Sequence, residues 1–171
     1  MAVNRGKQFE NVIRESLEKN AENISIDRLH DQTNGFKGSA NICDFIVYRY
    51  PYQYYIECKS IHGNTWSLRN ATKTQLNEMA SKVQIKGVFA GIIVWFMDKD
   101  VTLFLPIQYV KSVKDAGQKS IRFDIDMESY NATHDIPIID LVGRKKRVFF
   151  DYDMELFFTE FERKVGGLVN E

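Results

Sequence analysis

Three charged residues stand in or beside two aromatic, apolar stretches: Asp44 in ICDFIVYRY, and Glu57 and Lys59 in YYIECKS. Charge is unusual there, because a buried charge without a partner costs several kcal/mol. Side chains of a β-strand alternate between two faces, so Glu57 and Lys59 point one way while Ile56 and Cys58 point the other. Two carboxylates beside one lysine would form a hard-oxygen site of the kind that Mg²⁺ prefers.

The three charges meet only if the two stretches pair. Residues 42–50 and 52–60 are rich in aromatic and β-branched residues, which predicts a hairpin that turns at about 50–52. In that hairpin Asp44 lies within a residue or two of the register of Glu57 and Lys59. The backbone carbonyl of Cys58 could complete a metal shell and leave the thiol in the core.

This arrangement suits phosphodiester hydrolysis. The carboxylates would hold one or two Mg²⁺ ions, which polarise the phosphate and lower the pKa of a bound water. Lys59 would orient that water or stabilise the charge that develops on the phosphate. Spacing alone also allows a simpler interpretation, in which Glu57 and Lys59 form an exposed pair that contributes little.

Two helices flank the hairpin in sequence. Apolar residues recur at helical spacing over 4–19, and Glu10 lies at the edge of that stripe, where it is either a further carboxylate for the site or a solvated helix residue. Thr72 and Gln75 have the spacing of a capping box, which predicts the start of a second helix that ends at Gly87.

The remaining pattern predicts an α/β fold, a mixed β-sheet flanked by helices, in a single domain over 1–171. Residues 23–29, 88–97 and 101–106 are predicted strands, 107–114 and 153–165 are predicted helices, and 62–70 is a predicted loop. The segment 115–147 is polar apart from IPIIDLV, and its pattern predicts no clear element.

Composition restricts the function classes only weakly. The 23 basic and 23 acidic residues balance, so only a local patch such as RKKR at 144–147 favours nucleic acid. The N-terminus lacks the apolar core of a signal peptide, and the longest apolar run is too short to span a bilayer, so we expect a cytoplasmic protein without membrane partners. Cys43 and Cys58 are expected to be core thiols, and the histidines lack metal-ligand spacing.

The array of Asp44 followed by Glu57, Cys58 and Lys59 resembles the PD-(D/E)xK nuclease superfamily, although Cys43 stands where that name has a proline. Further stretches resemble RecU-type Holliday junction resolvases in the same order along about residues 4 to 158. They are NRG at 4–6 followed by Glu10, NTWSLRN at 64–70 with TQLNEM at 74–79, GVFAGIIVWF followed by VTLFLP, QKSIR at 118–122, and FFDYDMELFF at 149–158.

The resemblance implies a restriction-endonuclease-like core and a homodimeric, Mg²⁺-dependent endonuclease, with Mn²⁺ able to substitute, that nicks four-way DNA junctions symmetrically in recombination and repair. It implies that Asp44 and Glu57 bind metal, that Lys59 serves the attacking water, that Glu10 is a helix-borne acid, and that Gln75 lies near the site. Recombinase or branch-migration proteins are further candidate partners. The residues expected to meet DNA are Arg5, Lys7, Lys37, Arg69, Lys73, Arg144, Lys145, Lys146 and Arg147.

One departure concerns substrate choice. The family places a long basic stalk before the first catalytic aspartate, whereas here about a dozen residues, HDQTNGFKGSAN, fill much of that interval and carry Lys37 and His30. A compact, phage-type member would fit this shortening. The alternatives are another PD-(D/E)xK endonuclease of restriction or repair type, and a catalytically silent DNA-binding recombination module.

Overall fold

The computed structural model describes residues 4–29 and 41–169. The helices in these ranges are α1 (Arg5–Asn20), α2 (Lys73–Lys82), α3 (Ile107–Asp115), α4 (Met127–Thr133) and α5 (Met154–Val169). The strands are β1 (Ser25–Arg28), β2 (Phe45–Arg49), β3 (Tyr52–Ile61), β4 (Thr65–Ser67), β5 (Val88–Phe96), β6 (Val101–Pro106), β7 (Ser120–Arg122), β8 (Ile139–Asp140), β9 (Gly143–Lys146) and β10 (Phe149–Tyr152).

A mixed sheet forms the centre of the molecule. Its order is β1-β2-β3-β5-β6-β8, with β3 and β5 parallel and the other neighbours antiparallel. The parallel pair needs a crossover, and α2 lies in the connection between β3 and β5. The run VFAGIIVWF is apolar on both faces, and β5 accordingly occupies a central position with helices on both sides.

Helices cover both faces of the sheet. On one face, α1 contributes Phe9, Ile13 and Leu17, which recur every four residues and are at most 1% exposed. Burying each such side chain stabilises the fold by about 1.5–3 kcal/mol. This α1/α5 layer is completed by the aromatic face of α5, whereas α2 and α3 form the layer on the other face. The predicted α/β fold with a mixed sheet flanked by helices is therefore confirmed.

Several predicted boundaries differ from the structure. The helix that begins at the Thr72 cap ends at Lys82 rather than at Gly87, which instead has a φ of 79° in the turn before β5. The predicted loop at 62–70 contains β4, which pairs with β7. The predicted C-terminal helix extends to residue 169.

The segment 115–147 holds most of the structure that the sequence did not predict. It contains β7, α4, β8 and β9, and β9 pairs with β10 to form a hairpin across the basic run. The periodicity of apolar residues does not predict these elements, because each has only two to seven residues. The hairpin is fixed on α1, where the Tyr152 N–H donates to the Ser16 hydroxyl at 3.1 Å and Asn20 donates to the Tyr152 carbonyl at 2.8 Å.

Candidate active site

The β2–β3 hairpin places Asp44 at the end of β2, directly beside β3. Phe45 pairs with Ile56 in the ladder, and the N–H of Asp44 also donates to the Ile56 carbonyl at 3.1 Å. Asp44, directly before β2, and Phe45, its first residue, thus both face Ile56, as in a β-bulge. A β-bulge changes the direction in which a side chain points. The pairing of β2 ends here, so Asp44 lies where the strand opens.

The carboxylate of Asp44 is held toward β3. Its Oδ2 accepts a hydrogen bond of 2.7 Å from the backbone N–H of Cys58, the residue between Glu57 and Lys59. Asp44 therefore lies next to these two residues, at the position that the hairpin prediction required. The N–H and C=O of one strand residue point to the same side, so the Cys58 carbonyl is directed toward the side on which Asp44 lies.

Glu57 and Lys59 share one face of β3. The Lys59 ammonium lies 2.5 Å from Glu57 Oε1, and the Glu57 carboxylate is almost fully buried. Their face belongs to the α2/α3 layer, while Ile56 and Cys58 pack in the α1/α5 layer. The alternation predicted for YYIECKS is thus observed, and the pair is not the exposed edge pair of the simpler interpretation.

The carboxylates of the site repel each other. Burial, followed by the negative charge of Glu57, raises the pKa of Asp44 from its usual value near 3.8 to about 7. Burial lowers the pKa of Lys59, but the attraction and hydrogen bond of Glu57 outweigh it, and the pKa lies above its usual value. One lysine therefore faces two acids, and a further cation would relieve the remaining repulsion.

The donor set fits a hard divalent cation. Two carboxylates and the backbone carbonyl of Cys58 are oxygen ligands of the type that Mg²⁺ binds, with water completing the shell. Among residues 4–29 and 41–169, no group of three or more His, Cys, Asp or Glu side chains is arranged to hold a metal ion. Any metal site here would therefore depend on Asp44, Glu57 and backbone or water oxygens.

Glu10 lies near this site but has its own partner. Arg28 of β1 donates to Glu10 at 3.1 Å and to Asn11 at 2.9 Å, which ties α1 to the edge of the sheet. Glu10 is close enough to raise the pKa of Asp44 as one of its smaller causes. Arg28 was not identified from the sequence, since a lone arginine in a short polar strand carries no recognisable signal.

Gln75 lies in the first turn of α2. Its backbone N–H donates to the Thr72 hydroxyl at 3.1 Å, which is half of the predicted capping box. Helix α2 packs on the same face of the sheet as Glu57 and Lys59, but in the described part of the chain the Gln75 side chain makes no hydrogen bond to the three charged residues. Its expected place near the reacting groups stays a prediction.

The basic residues expected to meet DNA fall on two sides of the sheet. Arg5 and Lys7 begin α1, and Arg5 lies 5.8 Å from the centre of the Phe149 ring, next to the β9–β10 hairpin. Arg69 and Lys73 lie on the α2/α3 side, both exposed. The hairpin carries Arg144, Lys145 and Lys146 in β9 and Arg147 in its turn. Lys37 lies outside the described residues.

Comparison with solved structures finds chains of similar outline. The chain is similar to Hjc, a Holliday junction resolvase from the archaeal hyperthermophile Archaeoglobus fulgidus, with a TM-score of 0.45 and 18% identity over 60% of this chain and 78% of that one. No protein-family model and no curated protein matches the sequence. In the described ranges, none of the helices has the length and apolar character needed to cross a bilayer.

Proposed function

We propose that the protein is a metal-dependent DNA endonuclease whose active site consists of Asp44, Glu57 and Lys59. The observation that carries this proposal is the bulged end of β2, which turns one carboxylate toward a second, buried carboxylate and its lysine. A buried, mutually repelling acid pair is costly to a fold, and strongly perturbed acids of this kind concentrate at functional sites.

Mg²⁺, with Mn²⁺ as a substitute, would be held by Asp44, Glu57 and the Cys58 carbonyl. When bound, it would supply the polarisation of the scissile phosphate and a water of lowered pKa. Lys59, fixed by Glu57, would orient the attacking water and stabilise the negative charge that develops on the phosphate oxygens. Glu10, paired with Arg28, would contribute negative charge at the border of the site without ligating the ion.

The substrate that we propose is a four-way DNA junction, cut by a homodimer through paired symmetric nicks during recombination and repair in the cytoplasm. The support is the ordered resemblance to RecU-type resolvases over about residues 4 to 158. A dimer suits this chemistry, because resolving a junction requires two matched cuts. Recombinase or branch-migration proteins would be the partners that deliver such junctions.

Cleavage of labelled four-way junctions, linear duplex and flaps with Mg²⁺ tests this proposal. We expect junctions to be cut in preference to the other substrates. Equal cutting of linear duplex would overturn junction selectivity and favour a restriction or repair endonuclease. Tight junction binding without any cutting would favour the catalytically silent module.

The site itself is tested by Asp44→Asn and Lys59→Ala. Each should reduce cleavage by about 10²–10³-fold, the scale of losing one group that stabilises the transition state. DNA binding should change little, because phosphate contacts elsewhere supply most of the affinity. Asp27→Asn in β1, an exposed aspartate on the same sheet, is the matched control and should cleave normally. Turnover like that of the wild type in Asp44→Asn would show that the site is misassigned.

A further inference from the structure

The β9–β10 hairpin ends in an exposed, cationic tip. Arg147 and Val148 form the two-residue turn between Lys146 and Phe149, and Val148 is 46% exposed. Within the described residues, Lys145 pairs with Asp100 and Lys146 pairs with Asp151. In the same ranges, Arg144 and Arg147 have no acidic partner, so their charges remain available to an anion.

The backbone conformation at position 147 favours glycine, but the residue there is arginine. Arg147 has a φ of 47°, a left-handed conformation that glycine adopts without strain and that other residues adopt rarely. Strained backbone of this kind concentrates at functional sites. An arginine in this position, followed by an exposed valine, indicates that these two side chains have a use outside the fold.

The hairpin is rigidly based and lies at the active-site end of the sheet. The ring of Phe149, at the start of β10, is 5.5 Å from the ring of Trp95. Trp95 pairs in the ladder with Ser60, the residue after Lys59. Neighbouring strands are about 4.8 Å apart, so the base of the tip lies well within one turn of duplex, about 34 Å, of the proposed site.

We propose that this tip engages the branch point of the DNA, with Arg147 of the turn and Arg144 of β9 on the backbone phosphates and Val148 packed against the base pair at the junction. This inference rests on the proposed nuclease function and names its substrate-recognition element. Phosphates of several arms converge at a branch, which strengthens their attraction for cations.

Val148 would distinguish the branch point from linear duplex by inserting its apolar side chain there. Apolar side chains that wedge between base steps must unstack them, and at a branch point the stack is already interrupted, so insertion costs less there than in linear duplex. RecU-type resolvases have a long basic stalk before the first catalytic aspartate, whereas here about a dozen residues fill much of that interval. The hairpin would provide the junction contact in place of such a stalk.

A four-way junction with 2-aminopurine at the branch point tests the wedge, with EDTA present to prevent cleavage. Binding of the wild type should raise the fluorescence, because insertion of Val148 removes the stacking that the base retains in the free junction. Val148→Ala should lose most of this rise and weaken junction binding by roughly threefold to tenfold, while linear duplex is bound as before. Val142→Ala is the matched control, since Val142 is 56% exposed just before β9, and it should behave like the wild type.

Arg147→Gly tests the phosphate contact without risk to the fold. Glycine suits the φ of 47°, so the thermal midpoint should stay equal or rise. The slope of log affinity against log salt concentration for junction binding should fall by about 1. Unchanged slope and junction preference in Arg147→Gly, or an unchanged fluorescence rise in Val148→Ala, would overturn the inference even if the wild type cuts junctions. If both variants lose these signals but the wild type cuts no DNA, the tip is still a DNA-recognition element and the proposed nuclease function is wrong.

Discussion

Asp44 illustrates the conflict between stability and chemistry at the scale of one residue. Its carboxylate is largely buried beside Glu57; burial, and after it the repulsion between the two acids, raises the pKa of Asp44. The backbone N–H of Cys58 and the ammonium of Lys59 offset this repulsion only in part. In the absence of metal, ionised Asp44 therefore lowers the free energy of unfolding.

Asp44→Asn should stabilise the metal-free protein at neutral and higher pH. The folded state binds the Asp44 proton more tightly than the unfolded chain does, so the stability of the wild type should fall as pH rises from about 4 to about 7 and level off above that. At pH 8 with EDTA, thermal or urea unfolding should show Asp44→Asn about 1–3 kcal/mol more stable.

Mg²⁺ should reverse this order. Saturating Mg²⁺ should raise the unfolding midpoint of the wild type and leave that of Asp44→Asn almost unchanged, since a ligand stabilises only the state that binds it. If Asp44→Asn were less stable than the wild type at pH 8 in EDTA, the repulsive environment described for Asp44 would be refuted.

At the scale of elements, the central strand β5 depends on one glycine. A Cβ at Gly91 would lie 2.3 Å from the Phe104 ring and 2.8 Å from the Leu105 carbonyl oxygen, both on the neighbouring strand β6. Gly91 pairs with Ile56 on its other side, one residue before Glu57. Close packing at Gly91 therefore holds the strand that supports the proposed site.

Gly91→Ala should destabilise the protein by about 1–3 kcal/mol, because the added methyl group overpacks a core that cannot yield at the backbone. Gly167→Ala in α5 is the control. Its new Cβ would meet nothing within 4 Å, and alanine should stabilise the helix by about 0.5–1 kcal/mol. Chemical denaturation of both variants measures the difference, and an equal effect of the two changes would contradict the close packing at Gly91.

The long elements and the charged triplet could be predicted because their signals are local. Alternation in YYIECKS places Glu57 and Lys59 on one face, and the RYPY turn brings Asp44 beside them. The hydrogen bond from Cys58 to Asp44 was not predictable, since it depends on a bulge that leaves no mark in the spacing. Short elements such as the basic hairpin are specified by contacts with α1 and Trp95, which lie far away in sequence.

At the scale of the whole molecule, the sheet separates two environments at the proposed site. Glu57 and Lys59 belong to the face covered by α2 and α3, whereas Arg5 and the basic hairpin lie on the face covered by α1 and α5. The proposed catalytic pair and the proposed branch-point contact therefore lie on opposite faces of the sheet, at the same end of it. One subunit in this arrangement presents one cutting centre, so symmetric resolution would require two subunits.

In the proposed homodimer, one wild-type subunit paired with one Asp44→Asn subunit should make one nick per junction. Differently tagged subunits allow such dimers to be purified, and a plasmid with an extruded cruciform separates the outcomes, since one nick gives relaxed circles and two matched nicks give linear DNA. Relaxed circles should dominate with the mixed dimer, and linear DNA with the wild-type dimer. Linear products at the wild-type rate from the mixed dimer would contradict the assignment of one centre to each subunit.

The hydrogen bond from the Leu29 N–H to the Asp44 carbonyl, 2.9 Å long, has a consequence for evolution and engineering. It joins the residue after β1 to the residue before β2, and so helps to fix the backbone of Asp44 from the β1 side. Doubling the length of a loop closed in this way costs only about 0.6 kcal/mol. A recognition module grafted between residues 29 and 44 could therefore change the substrate while the carboxylate stays in place.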